Sequence, residues 1–310
     1  MEIIKHKVAQ KINYFELFDF ISKIKLSSRV LEHMEETNKN FDKYFKNLAE
    51  YDDAFVIYFW ISLLRDEVRN SNSIEDHNIK DFDYSRGNLF MDKLSISHKR
   101  IHDIHKYVLT DSEEQHKTDN YRKTPIEISS LYPDKKEIFW YGAEPEDVKK
   151  FMDNFLEVYK SSNPSVLNSN PFLKSSLIHL LFLKIHPYTD GNGRTARALH
   201  NIKFTEILNR IYGMNLKISP INISESIYLY KPNYIQGPDN IYFDLEHNNN
   251  EVINYWFNWI LNMYDEQLFR NRCLIENMDE FMEKILKIKE RINPETIKQI
   301  ENMHVKIRTK

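Results

Sequence analysis

His186-Pro187-Tyr188-Thr189-Asp190-Gly191-Asn192-Gly193-Arg194-Thr195-Ala196-Arg197 places an imidazole, a carboxylate, two glycines and two guanidiniums within twelve positions. The chain has six glycines in 310 residues, so two in one short segment mark backbone that must approach something closely or adopt positive φ. Asp-Gly-Asn-Gly is turn chemistry. A helix is expected to start near Gly193 and run to about Arg210, with Gly213 as its stop. A helix N-terminus carries unpaired N–H groups and a partial positive charge, so it readily receives phosphate. Arg194 and Arg197 share one face of that helix. Two guanidiniums suit a polyphosphate, because each can bind oxygens bidentately. Asp190 lies just before the anion loop, where a hard carboxylate could hold Mg²⁺ together with phosphate oxygens. His186 is placed as a general base with a pKa expected near neutral, and Tyr188 as the buried anchor of the loop.

Other nucleotide-binding patterns are missing. No Gly-rich loop ends in Lys-Ser/Thr, and no Gly-x-Gly-x-x-Gly follows a strand. An EF-hand reading fails because Asn201 stands where a bidentate Glu is required. Outward from the motif the apolar spacing is mostly helical. Ala54, Ile57, Tyr58, Ile61, Leu64 and Val68 form one face, and further helices are expected over 96–109, 146–159, 172–184 and 251–265. Between Tyr121 and Pro145 three prolines interrupt helix, and Glu137-Ile138-Phe139-Trp140-Tyr141 has strand propensity, which predicts a short β-hairpin. The segment 222–250 is polar and partly loop. The last forty or so residues are charged and helical in pattern, broken at Asn293-Pro294. The fold class is mainly α.

A hydrophobic fraction of 41% and a charged fraction of 29% describe a globular chain rather than a disordered one. Net charge is −3, which gives nucleic acid or an anionic membrane no overall attraction. Cys273 is the single cysteine, so no intrachain disulfide forms and a reducing compartment fits. The N-terminus has no apolar leader, and the most apolar run, 177–185, is too short to span a bilayer. A soluble, cytoplasmic protein is expected. His98, His102 and His105 line one helical face without an evident acidic or cysteine partner, which favours a core histidine at 105 over a zinc site.

The central segment resembles the Fic signature His-x-Phe-x-Asp/Glu-Gly-Asn-Gly-Arg-x-x-Arg, departing only at Tyr188, where Phe is usual. Asn120-Tyr121-Arg122, Ile126 and the strand at 137–141 resemble the family's approach to its target-binding flap. The similarity covers roughly residues 65–265 and implies a Fic-type helical bundle with a short β-hairpin flap. It implies three parts: an N-terminal helical region (1–88), a catalytic domain (89–265) and a C-terminal helical extension (266–310). Members transfer AMP from ATP to a target hydroxyl. Carried over, His186 takes the proton of a Ser, Thr or Tyr hydroxyl and Asp190 holds Mg²⁺. The amides of Gly191, Asn192 and Gly193 form the anion hole. Arg194 and Arg197 meet the β- and γ-phosphates, and Tyr234 contacts adenine. Ile138 and Phe139 clamp a target segment by strand addition.

Ser71-Asn72-Ser73-Ile74-Glu75 resembles the Ser/Thr-x-x-x-Glu-Gly/Asn inhibitory motif of self-braked Fic proteins, with Asp76 where Gly or Asn is usual. The resemblance then implies that Ser71 and Glu75 belong to an inhibitory motif in which Glu75 pairs with Arg197. The expected activity is a protein adenylyltransferase under autoinhibition, with ATP as substrate and Mg²⁺ as cofactor. Its partners would be a protein target, the chain itself included, and a second copy in a homodimer; membrane and nucleic acid are not expected. The alternatives are removal of AMP, transfer of another phosphate-containing group, or a non-catalytic regulator that senses nucleotide.

Overall fold

A helix that is apolar on every side belongs at the centre of a fold, and Pro171–Ile185 is buried at all 15 of its positions. The computed structural model describes residues 21, 23–51, 53–75, 96–109, 120–129, 138–161, 165–213, 216, 218–231, 234 and 250–290. The elements run α1 (Ser28–Leu48), α2 (Asp53–Ile74), α3 (His98–Val108), β1 (Glu127–Ser129), β2 (Ile138–Tyr141) and α4 (Val148–Lys160). They continue with α5 (Val166–Ser169), α6 (Pro171–Ile185), α7 (Asn192–Tyr212), α8 (Ser224–Leu229), α9 (Glu251–Glu276) and α10 (Met278–Lys289). The described part is mainly α, as expected. Asp76 and the boundary at 88 lie outside the described residues, as do residues 130–137 and the expected break at Asn293-Pro294.

Central α6 starts sharply. The Asn170 side chain accepts from the Leu173 amide at 3.1 Å, and Pro171 sits in the first turn, where a missing N–H goes unneeded. The helix packs most extensively against α7, which holds the second half of the signature. Around this pair, α4 covers α6 and α3 covers the start of α7, while α1 lies along α9. Helix α2 rests on α8 and α10 and reaches α7. Gly213, at φ 62°, ends α7 in the left-handed conformation. His179 and His200 are fully buried in the α6–α7 core, and burial lowers the pKa of both, His200 to about 3.

One feature of this frame differs from expectation, and the expected short β-pair is present. Helix α9 runs on to Glu276, through position 265. Asp265 itself accepts bonds from His33, Thr37 and Asn40 of α1, each at 3.0 Å. The β-pair is short and antiparallel, with Glu127 opposite Tyr141, Ile128 opposite Trp140 and a bulge after Ile128. Its base is stitched to the signature: Arg122 N donates to Pro187 O (2.9 Å) and Ala143 N to Ile185 O (3.2 Å).

Candidate active site

His186 closes α6 in a left-handed conformation, φ 51°, the only non-glycine with positive φ among the described residues. Such backbone is strained and persists where surroundings hold it. Its ring Nδ1 lies 3.0 Å from Leu183 O. A carbonyl can only accept, so Nδ1 carries the proton and Nε2 keeps its lone pair. Burial pushes the imidazole pKa down to about 4, while the Leu183 bond pulls the other way. The near-neutral expectation is thereby corrected. Charging this ring costs its solvation, and the neighbouring Arg122 guanidinium adds repulsion. Burial thus favours the neutral ring.

Arg122 is what holds that strained turn. The buried guanidinium donates to His186 O (2.7 Å), to Thr124 O (2.8 Å) and to Ala143 O. Gly142 makes room for it, since a Cβ there would lie 2.7 Å from the guanidinium and 3.1 Å from the His186 Cβ. Asn192 closes the loop from the other end. Its side chain accepts from Tyr188 N at 2.9 Å and donates to Tyr188 O at 2.8 Å. Tyr188 is buried as expected and stacks on His105 with ring centroids 3.5 Å apart, its hydroxyl 2.7 Å from His102 Nδ1. His105 Nε2 donates to Asp190 O at 2.8 Å, and burial lowers its pKa to about 4. His98 meets Asp153 and Tyr121, each at 2.7 Å, so an acidic partner exists for it after all.

Beyond Asp190 the chain turns through Gly191, φ 73°, into α7 with no side-chain cap bond. The first-turn amides of that helix are therefore its anion-attracting end. Asp190 uses Oδ1 on Gly191 N (2.6 Å) and Oδ2 on Arg194 Nη2 (3.1 Å), and remains 45% exposed. Arg194 also donates to Val108 O (3.2 Å) and to Asn72 Oδ1 (3.3 Å) on α2. Arg197 is 1% exposed. It donates from Nε to Ser71 Oγ and from Nη2 to Ser71 O and Glu75 Oε1, all at 2.8 Å. Glu75 also crowds the helix start: a Cβ on Gly193 would lie 2.3 Å from its Oε1. The Glu75 carboxylate thus lies against the first turn of α7.

His186, Asp190, Gly191, Asn192, Gly193, Arg194 and Arg197 converge on one end of α7, with Ser71 and Glu75 against them. Tyr234 lies against Arg197. It is buried beside Trp259, and its hydroxyl accepts from Arg197 Nη1 (3.1 Å) and meets His179 Nε2 (2.8 Å), so it supports the arginine. Ile138 and Phe139 start β2, the strand next to the loop. Reading the sequence alone did not single out Arg122, Asn72 or the side-chain role of Asn192. For Asn192 the signal was its place between two glycines; for Arg122 and Asn72 the partners lie far off in sequence.

A helical frame with one antiparallel flap and an anion-attracting turn before a two-arginine helix defines the class, and the comparisons agree with it. Residues 95–202 match the Fic/DOC family, so this segment of the chain is a Fic domain. The chain is similar to the protein adenylyltransferase Fic of Nematostella vectensis, 34% identical over 118 residues. That match spans 38% of this chain and 25% of the relative's length. In three dimensions the chain resembles a Fic family protein from Desulfovibrio desulfuricans G20. The TM-score is 0.54 at 13% identity, over 80% of this chain and 75% of that one, a likeness of fold. A Fic domain containing signaling protein from Bacteroides thetaiotaomicron VPI-5482 aligns at TM-score 0.44 and 19% identity, over 83% and 98% of the two chains.

Proposed function

We propose that the chain is a protein adenylyltransferase that moves AMP from ATP to a hydroxyl of a protein target and is held back by Glu75. The observation that carries this reading is the convergence of an unprotonated imidazole nitrogen, a hard carboxylate, a bare helix N-terminus and two guanidiniums on one loop. The likeness to a relative named protein adenylyltransferase supports the choice among group transfers. In the step itself, His186 Nε2 accepts the proton of the target hydroxyl. The hydroxyl oxygen then bonds to the α-phosphorus, the bond from that phosphorus to the β-bridging oxygen breaks, and pyrophosphate leaves. The amides of Gly191, Asn192 and Gly193, with Arg194 and Arg197, neutralise the charge that shifts onto the leaving group.

Asp190 fits a divalent cation by donor type, since it offers a half-exposed carboxylate and Mg²⁺ takes the rest of its shell from water and phosphate. The ion would polarise the phosphate oxygens. The β1–β2 flap would take an extended target segment, with Ile138 and Phe139 in the strand that presents it. Glu75, on Arg197 and beside Gly193, competes with phosphate for the same donors. Release of that carboxylate is the regulated event.

Incubation with α-labelled and γ-labelled ATP tests the reaction. Protein-bound label from the α-position alone is expected. Label from the γ-position alone would replace the reading with phosphorylation, and label from neither with a binding role.

A further inference from the structure

Gly191 gives the anion turn its freedom, and that freedom has to be checked. At φ 73° and without a Cβ, it lets the peptide that joins it to Asp190 rotate into another orientation. On the far side the chain is fixed, because Gly191 O accepts from Thr195 N (2.9 Å) and Thr195 Oγ1 (2.8 Å) at the start of α7. The 190–191 peptide lies outside that ladder. Its carbonyl accepts from His105 Nε2 of α3 at 2.8 Å, and its N–H donates to the Asp190 carboxylate, Oδ1, at 2.6 Å. Carbonyl and N–H of a trans peptide point in opposite directions. His105 therefore grips the inner edge of the peptide, and the N–H is turned to the side where the Asp190 side chain is 45% exposed.

The imidazole serves this bond rather than merely filling space. It is 2% exposed and lies flat on Tyr188, with ring centroids 3.5 Å apart and planes 6° from parallel. Its Nδ1 is buried without a hydrogen-bond partner among the described residues, a cost that an apolar ring in the same stack would avoid. The Tyr188 hydroxyl lies 2.7 Å from His102 Nδ1, which holds the stack in register. The turn also sits directly on this floor. A Cβ on Gly191 would lie 3.1 Å from His105 Nε2 and 2.8 Å from Leu109 Cδ2.

We infer that His105 is a positioning residue: it locks the Asp190–Gly191 peptide with its N–H toward the exposed carboxylate, and so presents the Gly191 amide and the Asp190 side chain together. Without the donor the peptide turns over. A carbonyl then replaces an N–H on the exposed side of the loop, and the carboxylate loses its backbone partner. The role in phosphate binding rests on the transferase reading, whereas the grip on the peptide does not.

Asp190-Gly191 is the one Asp-Gly pair in the sequence. The full chain labelled with carbonyl-¹³C aspartate and ¹⁵N glycine therefore gives a single cross-peak for this peptide. His105→Phe keeps a stacked ring and loses the donor, whereas His105→Gln keeps an N–H donor. His105→Phe should shift the cross-peak, the Asp190 carbonyl moving upfield as it loses its donor, and His105→Gln should restore most of the position. An unmoved cross-peak in His105→Phe overturns the inference, and so does an equal shift in both variants. If His105→Phe fails to fold, ¹⁵N-histidine spectra of the wild type decide: a protonated, slowly exchanging His105 Nε2 supports the lock, and an unprotonated one overturns it. Calorimetry with ADP and Mg²⁺ in the Glu75→Gly background, where the competing carboxylate is gone, reads the consequence. Adding His105→Phe should weaken binding about tenfold, and adding His105→Gln much less. Equal affinity overturns the positioning role. No binding by Glu75→Gly itself overturns the transferase reading instead, and the cross-peak still decides the grip on the peptide.

Discussion

The loop from His186 to Gly193 and the end of α2 meet at one point but are held in opposite ways. Bonds to the loop come from below and from the flap: Arg122 on His186 O, Asn192 on both sides of Tyr188, His105 on Asp190 O. None of them comes from α2. The end of α2 is held to the loop's helix by Ser71, Asn72 and Glu75, and the Glu75 side chain is 35% exposed. An exposed carboxylate contributes less than a buried one, because water screens it. Withdrawing Glu75 therefore disturbs no bond that shapes the loop.

The largest effect falls on the loop side. His186→Ala should lower AMP transfer by roughly 10²- to 10⁴-fold, the range for loss of a general base, while nucleotide binding persists. Equal transfer rates in the two proteins would remove His186 from the chemistry. Next comes Arg122→Ala, which strips three carbonyls of their donor. A cost of about 2–4 kcal/mol is expected, read as a lower midpoint in urea unfolding. A variant with an unchanged midpoint would show that the strained turn at His186 stands without this support.

Acid separates the two regions less sharply but in a defined direction. His105 and His200 are held at about 4 and about 3 by burial, and His179 well below its ordinary value. Unfolded, each imidazole takes up a proton near pH 6.5. Their contribution to stability is thus complete above that pH and shrinks as pH falls toward 4. Each adds up to about 1.4 kcal/mol per pH unit to the slope. Unfolding midpoints that stay level from pH 7 to pH 5 would contradict the burial of these rings.

Legibility in the sequence follows the same division. The loop was readable because its chemistry is contiguous: Gly191 for positive φ, Gly193 for close approach, arginines one turn apart, Asp190 before the turn. Gly213 marked the end of α7 for the same local reason. The full length of α9 was harder to read, since buried Gln267 and Asn271 interrupt the apolar count that Leu268 and Ile275 continue. The bonds of the Tyr234 hydroxyl to Arg197 and His179 were not readable, because an aromatic ring does not announce what its hydroxyl will meet. Arg122, some sixty residues from the carbonyl it holds, and Asn72, opposite Arg194 across the fold, depend on tertiary packing that no local pattern encodes. A resemblance to an inhibitory motif pointed to Ser71 and to the Glu75–Arg197 pair; the bonds from Arg197 to Ser71 and the approach of Glu75 to Gly193 came from the fold.

The measurement that reaches the centre of this account is α-labelled AMP incorporation by wild-type chain and by Glu75→Gly under identical ATP and Mg²⁺. A charge-assisted bond of roughly 1.5–3 kcal/mol, discounted for exposure, predicts at least about a tenfold rise in the variant with little change in its unfolding midpoint. Incorporation equal to that of the wild type would contradict the claim that this carboxylate stands in the place of phosphate.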